Sequence, residues 1–338
     1  MPEIYPRRSG ASTPLSQKSD RVAAGTGCAR AYAGKVPVRK GQRFTPARLR
    51  RWHEQGRGSG THGDYQPWHQ ITRDDPGSRG RSHLVNGHFG RLQHFLSDNE
   101  LVAFGFATML PALTDLREQF ALPTEDGPDI DVGLPLTVAP WREGTLAIAR
   151  SLGFKHPAVR QGDATELWVF TTDLVLSLRM PSGACELLAI SVKDPTDLAN
   201  DRKMQLLAIE REFWSRQGVS WCLLTSDHFN PSAGLAVKAA MCWSLGLPPA
   251  PHEQIDLCGS MSDRFDGHAL PYALNEIRRW FGIGLTEAQA VFWQSVWHGV
   301  TPIDLALSVR PSSPLQIISS AAFWKQNPIA SRRSAWSL

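Results

Sequence analysis

Leu167-Trp-Val-Phe-Thr-Thr-Asp173, an apolar continuation to Arg179, a Pro181-Ser-Gly183 turn and Glu186-Leu-Leu-Ala-Ile-Ser191-Val192-Lys193 together read as a β-hairpin. Proline and glycine supply the backbone angles of the turn. Asp173 interrupts a run that is otherwise apolar. Ser191 and Lys193 are separated by one residue, so both point to the same face of the second strand. A carboxylate and an ammonium at neighbouring strand ends suit metal-dependent phosphodiester cleavage. The acid holds the cation, and the ammonium orients water or offsets charge. A strand-end ion pair explains the same two residues, and the hairpin alone leaves both readings open.

After the hairpin, Thr196 or Asp197 is expected to cap a helix that runs to about Gln217 and stops at Gly218. Leu206, Ile209 and Phe213 form its apolar stripe. Glu210 lies on or beside that stripe. Buried there, it needs a cation such as Lys193 or a metal-bound water; on the flank, it reaches solvent instead. Residues 219–225 read as the next strand. Before the hairpin, Ser97-Asp-Asn-Glu100 has capping-box spacing and opens a helix to about Leu110, ended by Pro111. The cap explains Glu100 without any chemistry. Residues 113–121 read as a strand and 144–152 as a helix closed by Gly153. The resulting order predicts an α/β fold with helices against a mixed sheet.

Further upstream, Thr45 and Pro46 open a short helix. Arg57 lies in a glycine-rich loop, and Arg79, Arg81 and Arg91 lie in a basic, loop-like stretch over 73–94. Arginines in such loops suit phosphate contacts, and suit any exposed loop as well. The net charge of +4 is uneven: residues 1–60 carry 13 Lys/Arg against 3 Asp/Glu, and the remainder 23 against 29. Residues 1–45 therefore read as a basic, disordered arm suited to a polyanionic partner.

Residues 46–230 read as one α/β domain. Beyond Asn230, helices are expected over 232–246, 269–281 and 286–298, with a polar connection over 255–266. A short helix is expected from Thr301-Pro302, and a last helix or strand over 314–325. Trp280, Phe281, Phe292, Trp293 and Trp297 fall at helical spacing and read as core of a mainly helical domain over 231–338. Five cysteines without a CxxC read as reduced thiols, and no His/Cys spacing indicates zinc. No stretch approaches the roughly 18 apolar residues of a membrane span, so a cytoplasmic protein is expected.

The blocks Gly56-Arg57-Gly58, Asp64-Tyr65-x-Pro67-Trp68, Gly80-Arg81-Ser82, Gly90-Arg91, Phe95-Leu-Ser-Asp-x-Glu100-Leu101, Asp115-Leu-Arg-Glu-Gln-Phe120, Lys155-His-Pro157, Thr172-Asp173, Val192-Lys193 and Ile209-Glu210-Arg-Glu-Phe-Trp214, in this order, resemble the TnsA endonuclease subunits of heteromeric, Tn-seven-like transposons. The resemblance covers about residues 50–230. It implies a restriction-endonuclease-like fold followed by a winged-helix-like domain. It also implies bacterial cytoplasm and hydrolysis of the 5′ strands at transposon ends. The implied partners are DNA, a transposase of the retroviral-integrase class and, through the C-terminal domain, a TnsC-like ATPase regulator. It assigns Glu100, Asp173 and Lys193 to the catalytic acid, acid and lysine, and Glu210 to a further acid that matters to cleavage. Magnesium, or manganese in its place, is expected on Glu100, Asp173 and Ser191. The family usually has glutamine where Ser191 stands. Serine is harmless if the backbone carbonyl is the ligand and weakens the site if the side chain is. A scaffold subunit with a decayed site and a stand-alone restriction or repair nuclease are the alternatives.

Overall fold

The computed structural model describes residues 44–72, 81–86, 89–127, 142–307 and 310–336. Most of the basic arm, with residues 1–43, and Arg79 lie outside the described residues.

In chain order the elements are α1 (Pro46–Glu54), β1 (His83–Asn86), β2 (Leu92–Phe95), α2 (Asp98–Thr108), β3 (Leu113–Ala121), α3 (Thr145–Ser151), β4 (Ala158–Gln161), β5 (Ala164–Leu167), β6 (Thr171–Arg179), β7 (Cys185–Val192), α4 (Asp201–Arg216) and β8 (Ser220–Leu224). Then come α5 (Pro231–Ser244), α6 (His252–Ser260), α7 (Leu270–Phe281), α8 (Leu285–Trp297) and α9 (Ser320–Gln326). A four-stranded mixed sheet has the order β3-β6-β7-β8. The first three strands are antiparallel, and β7–β8 is parallel. A parallel pair needs a crossover, and α4 supplies it.

Both faces of the sheet are covered, which is why β6 and β7 read as nearly continuous apolar runs. Leu174, Leu176, Leu188 and Ile190 face a cluster that includes Phe104 and Phe106 of α2. Val175, Leu187 and Ala189 face Ile209, Phe213 and Trp214 of α4. The first cluster continues without a break into the helical region, taking in Val237 and Met241 of α5 and Phe292 and Trp297 of α8. Gly105 makes that approach possible: a Cβ there would lie 2.4 Å from the Val237 side chain. Trp297 donates to Thr108 Oγ1 at 3.1 Å, and Asn327 donates to the Phe106 carbonyl at 2.8 Å. The edge of β8 is covered by the last described residues, with Ala335 N donating to the Leu223 carbonyl at 2.8 Å.

Several local expectations change. The hairpin's first strand begins at Thr171, because Ala164–Leu167 pairs back on β4. Within the stretch read as a basic loop, β1 and β2 form a two-stranded sheet. Asn200, not Thr196 or Asp197, caps α4, and a 3₁₀ turn capped by Asp194 precedes it. Residues 252–260 are helical; only Ile255 and Cys258 are buried there, too thin a stripe to read. No helix starts at Thr301: Ile303 bridges to Ile317, a pairing invisible to local periodicity. Trp280 is 58% exposed, whereas Phe292, Trp293 and Trp297 are buried as expected. Among the described residues the cysteines are free, and no helix is long and apolar enough to cross a membrane.

Candidate catalytic site

Glu100 is set by the start of α2. Ser97 caps the helix by accepting from Glu100 N at 3.1 Å, and Glu100 Oε2 accepts from Leu96 N at 2.8 Å. Its Oε1 accepts from Ser97 Oγ at 3.1 Å. Only half of the expected capping box forms, because the Glu100 side chain reaches Leu96 N rather than Ser97 N; the same buried carboxylate faces Asp173, so cap and site share one residue. Burial and the nearby Asp173 charge push the Glu100 carboxyl up to about 7.

Asp173, on β6, is held from β7. Val192 N donates to its Oδ2 at 2.7 Å, and Lys193 Nζ donates to the same oxygen at 2.5 Å. Lys193 is fixed in turn by its backbone, whose N–H donates to the Leu224 carbonyl at 3.0 Å. Burial alone would lower the Lys193 pKa, but Asp173 first and then Glu210 hold it above the ordinary lysine value. Lys193 is therefore an ammonium at neutral pH, a donor rather than a base.

Glu210 is buried on α4, facing the sheet. Its Oε1 accepts from Thr172 Oγ1 at 2.7 Å, from Ser191 Oγ and from Trp221 Nε1 at 3.3 Å. Trp214 Nε1 donates to Thr172 Oγ1 at 2.8 Å, which braces the acceptor from behind. Burial raises the Glu210 carboxyl, and Lys193 opposes the rise. Of the two readings of Glu210, the buried one is observed. Ser191 donates its hydroxyl to Glu210, so its side chain is turned to that acid.

Gln119 links the two acids and had not been singled out. Its Nε2 donates to Glu100 Oε2 at 3.1 Å and to Asp173 Oδ1 at 3.4 Å. Its backbone has φ 49°, a left-handed conformation that costs about 1–2 kcal/mol outside glycine. The β3–β6 ladder pairs Glu118 with Leu174 and Phe120 with Thr172, passing over Gln119 and Asp173. The freed Gln119 carbonyl accepts from Trp68 N at 3.1 Å. Alternation also reverses here: Leu116 lies in the α2-side cluster, and Phe120, of the same parity, in the α4-side cluster. A polar residue within an alternating strand carries no sequence signal for this; only the backbone conformation marks it.

The family model for the TnsA-like endonuclease N-terminal domain matches residues 111–226. This segment is a TnsA-like endonuclease domain. It contains Gln119, Asp173, Ser191, Lys193 and Glu210, whereas Glu100 precedes it. The chain is 32% identical over 189 residues to the transposon Tn7 transposition protein TnsA of Escherichia coli. That similarity takes in 56% of this chain and 60% of the relative.

The arginines upstream of the TnsA-like domain divide. Arg91 is buried: its guanidinium donates to both Glu118 oxygens at 2.7 and 2.6 Å and to the Leu116 carbonyl at 2.8 Å. It is turned inward onto β3. Arg57 packs its guanidinium 4.7 Å from the Trp52 ring centre and donates to the Trp68 carbonyl at 3.3 Å. Arg81 is exposed, 3.7 Å from Asp98, which also takes Lys238 at 2.7 Å.

Among the described residues, no group of three or more His, Cys, Asp or Glu is gathered as a metal cage. The donors at hand are two carboxylates, Glu100 and Asp173, joined through one neutral amide. Magnesium typically binds through one or two carboxylates and keeps several waters, so this sparse oxygen set fits a divalent cation. The Glu100 carboxyl is raised by burial first and by the Asp173 charge second, and a cation bound there would offset both.

Proposed function

We propose that this chain is the DNA endonuclease subunit of a Tn-seven-like transposase, hydrolysing the 5′-strand phosphodiester at transposon ends with a divalent cation. The observation that carries the reading is the convergence of Asp173, Glu100 and Lys193 at the open ends of β6 and β7. Glu100 and Asp173 would hold magnesium, or manganese in its place, and Ser191 would contribute through its backbone carbonyl. When bound, such a cation acidifies water and offsets charge on the phosphoryl oxygens. Lys193 stays protonated, so it orients the attacking water and stabilises charge on a phosphate oxygen by donating Nζ–H. Asp173 keeps that ammonium in place. Glu210 acts through Ser191 and Thr172, bracing the ends of β6 and β7, and is a positioning residue.

In this reading residues 46–230 form a restriction-endonuclease-like domain, with Glu100 on a helix and Asp173 and Lys193 on adjacent strands. Residues 231–338 form a winged-helix-like domain that engages a TnsC-like ATPase regulator. The cut is made beside a partner transposase of the retroviral-integrase class that processes the 3′ strands, in the bacterial cytoplasm. Arg57 and Arg81, with the basic arm and Arg79, would contact DNA phosphates. The test is 5′-strand nicking of transposon-end DNA by the Asp173→Ala protein with the partner transposase present. Loss of nicking with an unchanged circular dichroism spectrum is expected, and undiminished nicking overturns the assignment. Wild-type nicking of plain DNA without a partner would instead indicate a stand-alone nuclease.

A further inference from the structure

Gln119 is the residue whose conformation is hardest to explain by packing alone. A glutamine on a central stretch of β3 takes a left-handed backbone, leaves the ladder and sends its carbonyl to Trp68. What it gains is the placement of one amide between two acids. Gln119 is 1% exposed, so this amide is sealed into the site. Carboxylates only accept hydrogen bonds, so the NH₂ end faces Glu100 and Asp173. The other end is loosely held: Thr171 Oγ1 approaches Oε1 at 3.5 Å.

We propose that Gln119 is an interchangeable occupant of the cation site. In the metal-free protein its NH₂ takes the place of the cation between Glu100 and Asp173. When a divalent cation enters, the amide turns about its last torsion and presents Oε1 as a neutral ligand. The inference rests on the cation-dependent reading above. An NH₂ group pointing at a cation is repelled, so the observed orientation and an occupied site exclude one another. Turning the terminal amide is the smallest motion that resolves the conflict, because that torsion is broad and roughly two-fold. The exchange gives the buried acids a hydrogen-bond donor in one state and a cation in the other. An amide oxygen is also an ordinary ligand for hard cations.

The experiment uses the full chain and calcium, titrated by calorimetry at pH 8, with metal-free thermal melts alongside. Gln119→Met keeps the side-chain length and removes the amide. It is expected to weaken calcium binding at least about tenfold and to lower the metal-free Tm by about 3 °C. Gln119→Glu adds a third carboxylate, and is expected to lower the metal-free Tm while tightening calcium binding. A merely structural glutamine predicts no such opposition, since both variants would then lose stability and leave affinity where it was. Wild-type calcium affinity in Gln119→Met, or no tightening in Gln119→Glu, overturns the proposal. Asp173→Ala separates the two levels. If it abolishes calcium binding while the Gln119 variants bind as wild type, the exchange fails and the cation site stands. If Asp173→Ala binds calcium like wild type, the cation site itself fails.

Discussion

Two buried charge clusters lie side by side along β3, and they are balanced differently. In the first, Glu118 faces Arg91 in a two-pronged pair and Asp115 lies 3.6 Å from Arg117. Each acid has a guanidinium. In the second, Glu100, Asp173 and Glu210 converge on the single ammonium of Lys193. Its acids are left short of positive charge, and the Glu100 carboxyl rises to about 7. The balanced cluster ties the β2 region to the sheet. The unbalanced one lies at the ends of β6 and β7, where the proposed cation would sit. The difference separates buried charge that is fully paired from buried charge that is not, and it is the second kind that marks a candidate site.

The contrast can be broken from either side. Asp173→Ala has the largest expected effect, since it removes the anchor of Lys193 and one ligand together. Nicking should fall by more than the about 10²–10³-fold typical of losing one charge-stabilising donor, with little change in the unfolding midpoint. Arg91→Met should do the reverse. It leaves Glu118 buried and unpaired, costing about 3–5 kcal/mol in urea unfolding, and calcium affinity per folded molecule should hold.

The third test sharpens the contrast through pH. The folded Glu100 carboxyl lies above its ordinary 4.5, at about 7. Its contribution to stability is therefore complete below about pH 4.5 and is lost as pH rises to about 7, on the order of 3 kcal/mol in metal-free protein. Unfolding of wild type and Glu100→Gln across pH 4–8 should show that slope in the first and not in the second. A saturating divalent cation should reverse it, because binding favours the ionised acid.

Smaller effects follow for the periphery. Ser191→Ala removes one donor from Glu210 and should cost about 1 kcal/mol, with nicking reduced far less than in Asp173→Ala. Comparable loss of nicking in the two would make the Ser191 hydroxyl part of the chemistry. Arg81→Ala should leave stability within about 0.5 kcal/mol and lower the salt slope of DNA binding by about one.

Much of this arrangement was legible from local pattern. The Ser97–Glu100 cap, the β6–β7 hairpin with Asp173 and Lys193, and the stripe carrying Glu210 all depend on spacing within one element. β1, β4, β5 and α6 carry no readable period because each buries two residues or fewer.

What the amino-acid order determined by itself was which side chains share a face in the β6–β7 hairpin and in α4, since 3.6 and 2.0 residue periods are properties of the backbone. Four things were decided only by the tertiary structure. Arg91 turns inward because Glu118 is buried beside it. Ser191 is spent on Glu210 because α4 lies across that face of the sheet. Glu100 becomes a site residue because α2 starts beside the end of β6. Gln119 holds a left-handed backbone because Trp68 claims its carbonyl while Glu100 and Asp173 share its amide NH₂. Each is a contact between residues distant in sequence, set by burial and charge compensation, and such contacts have no period to read.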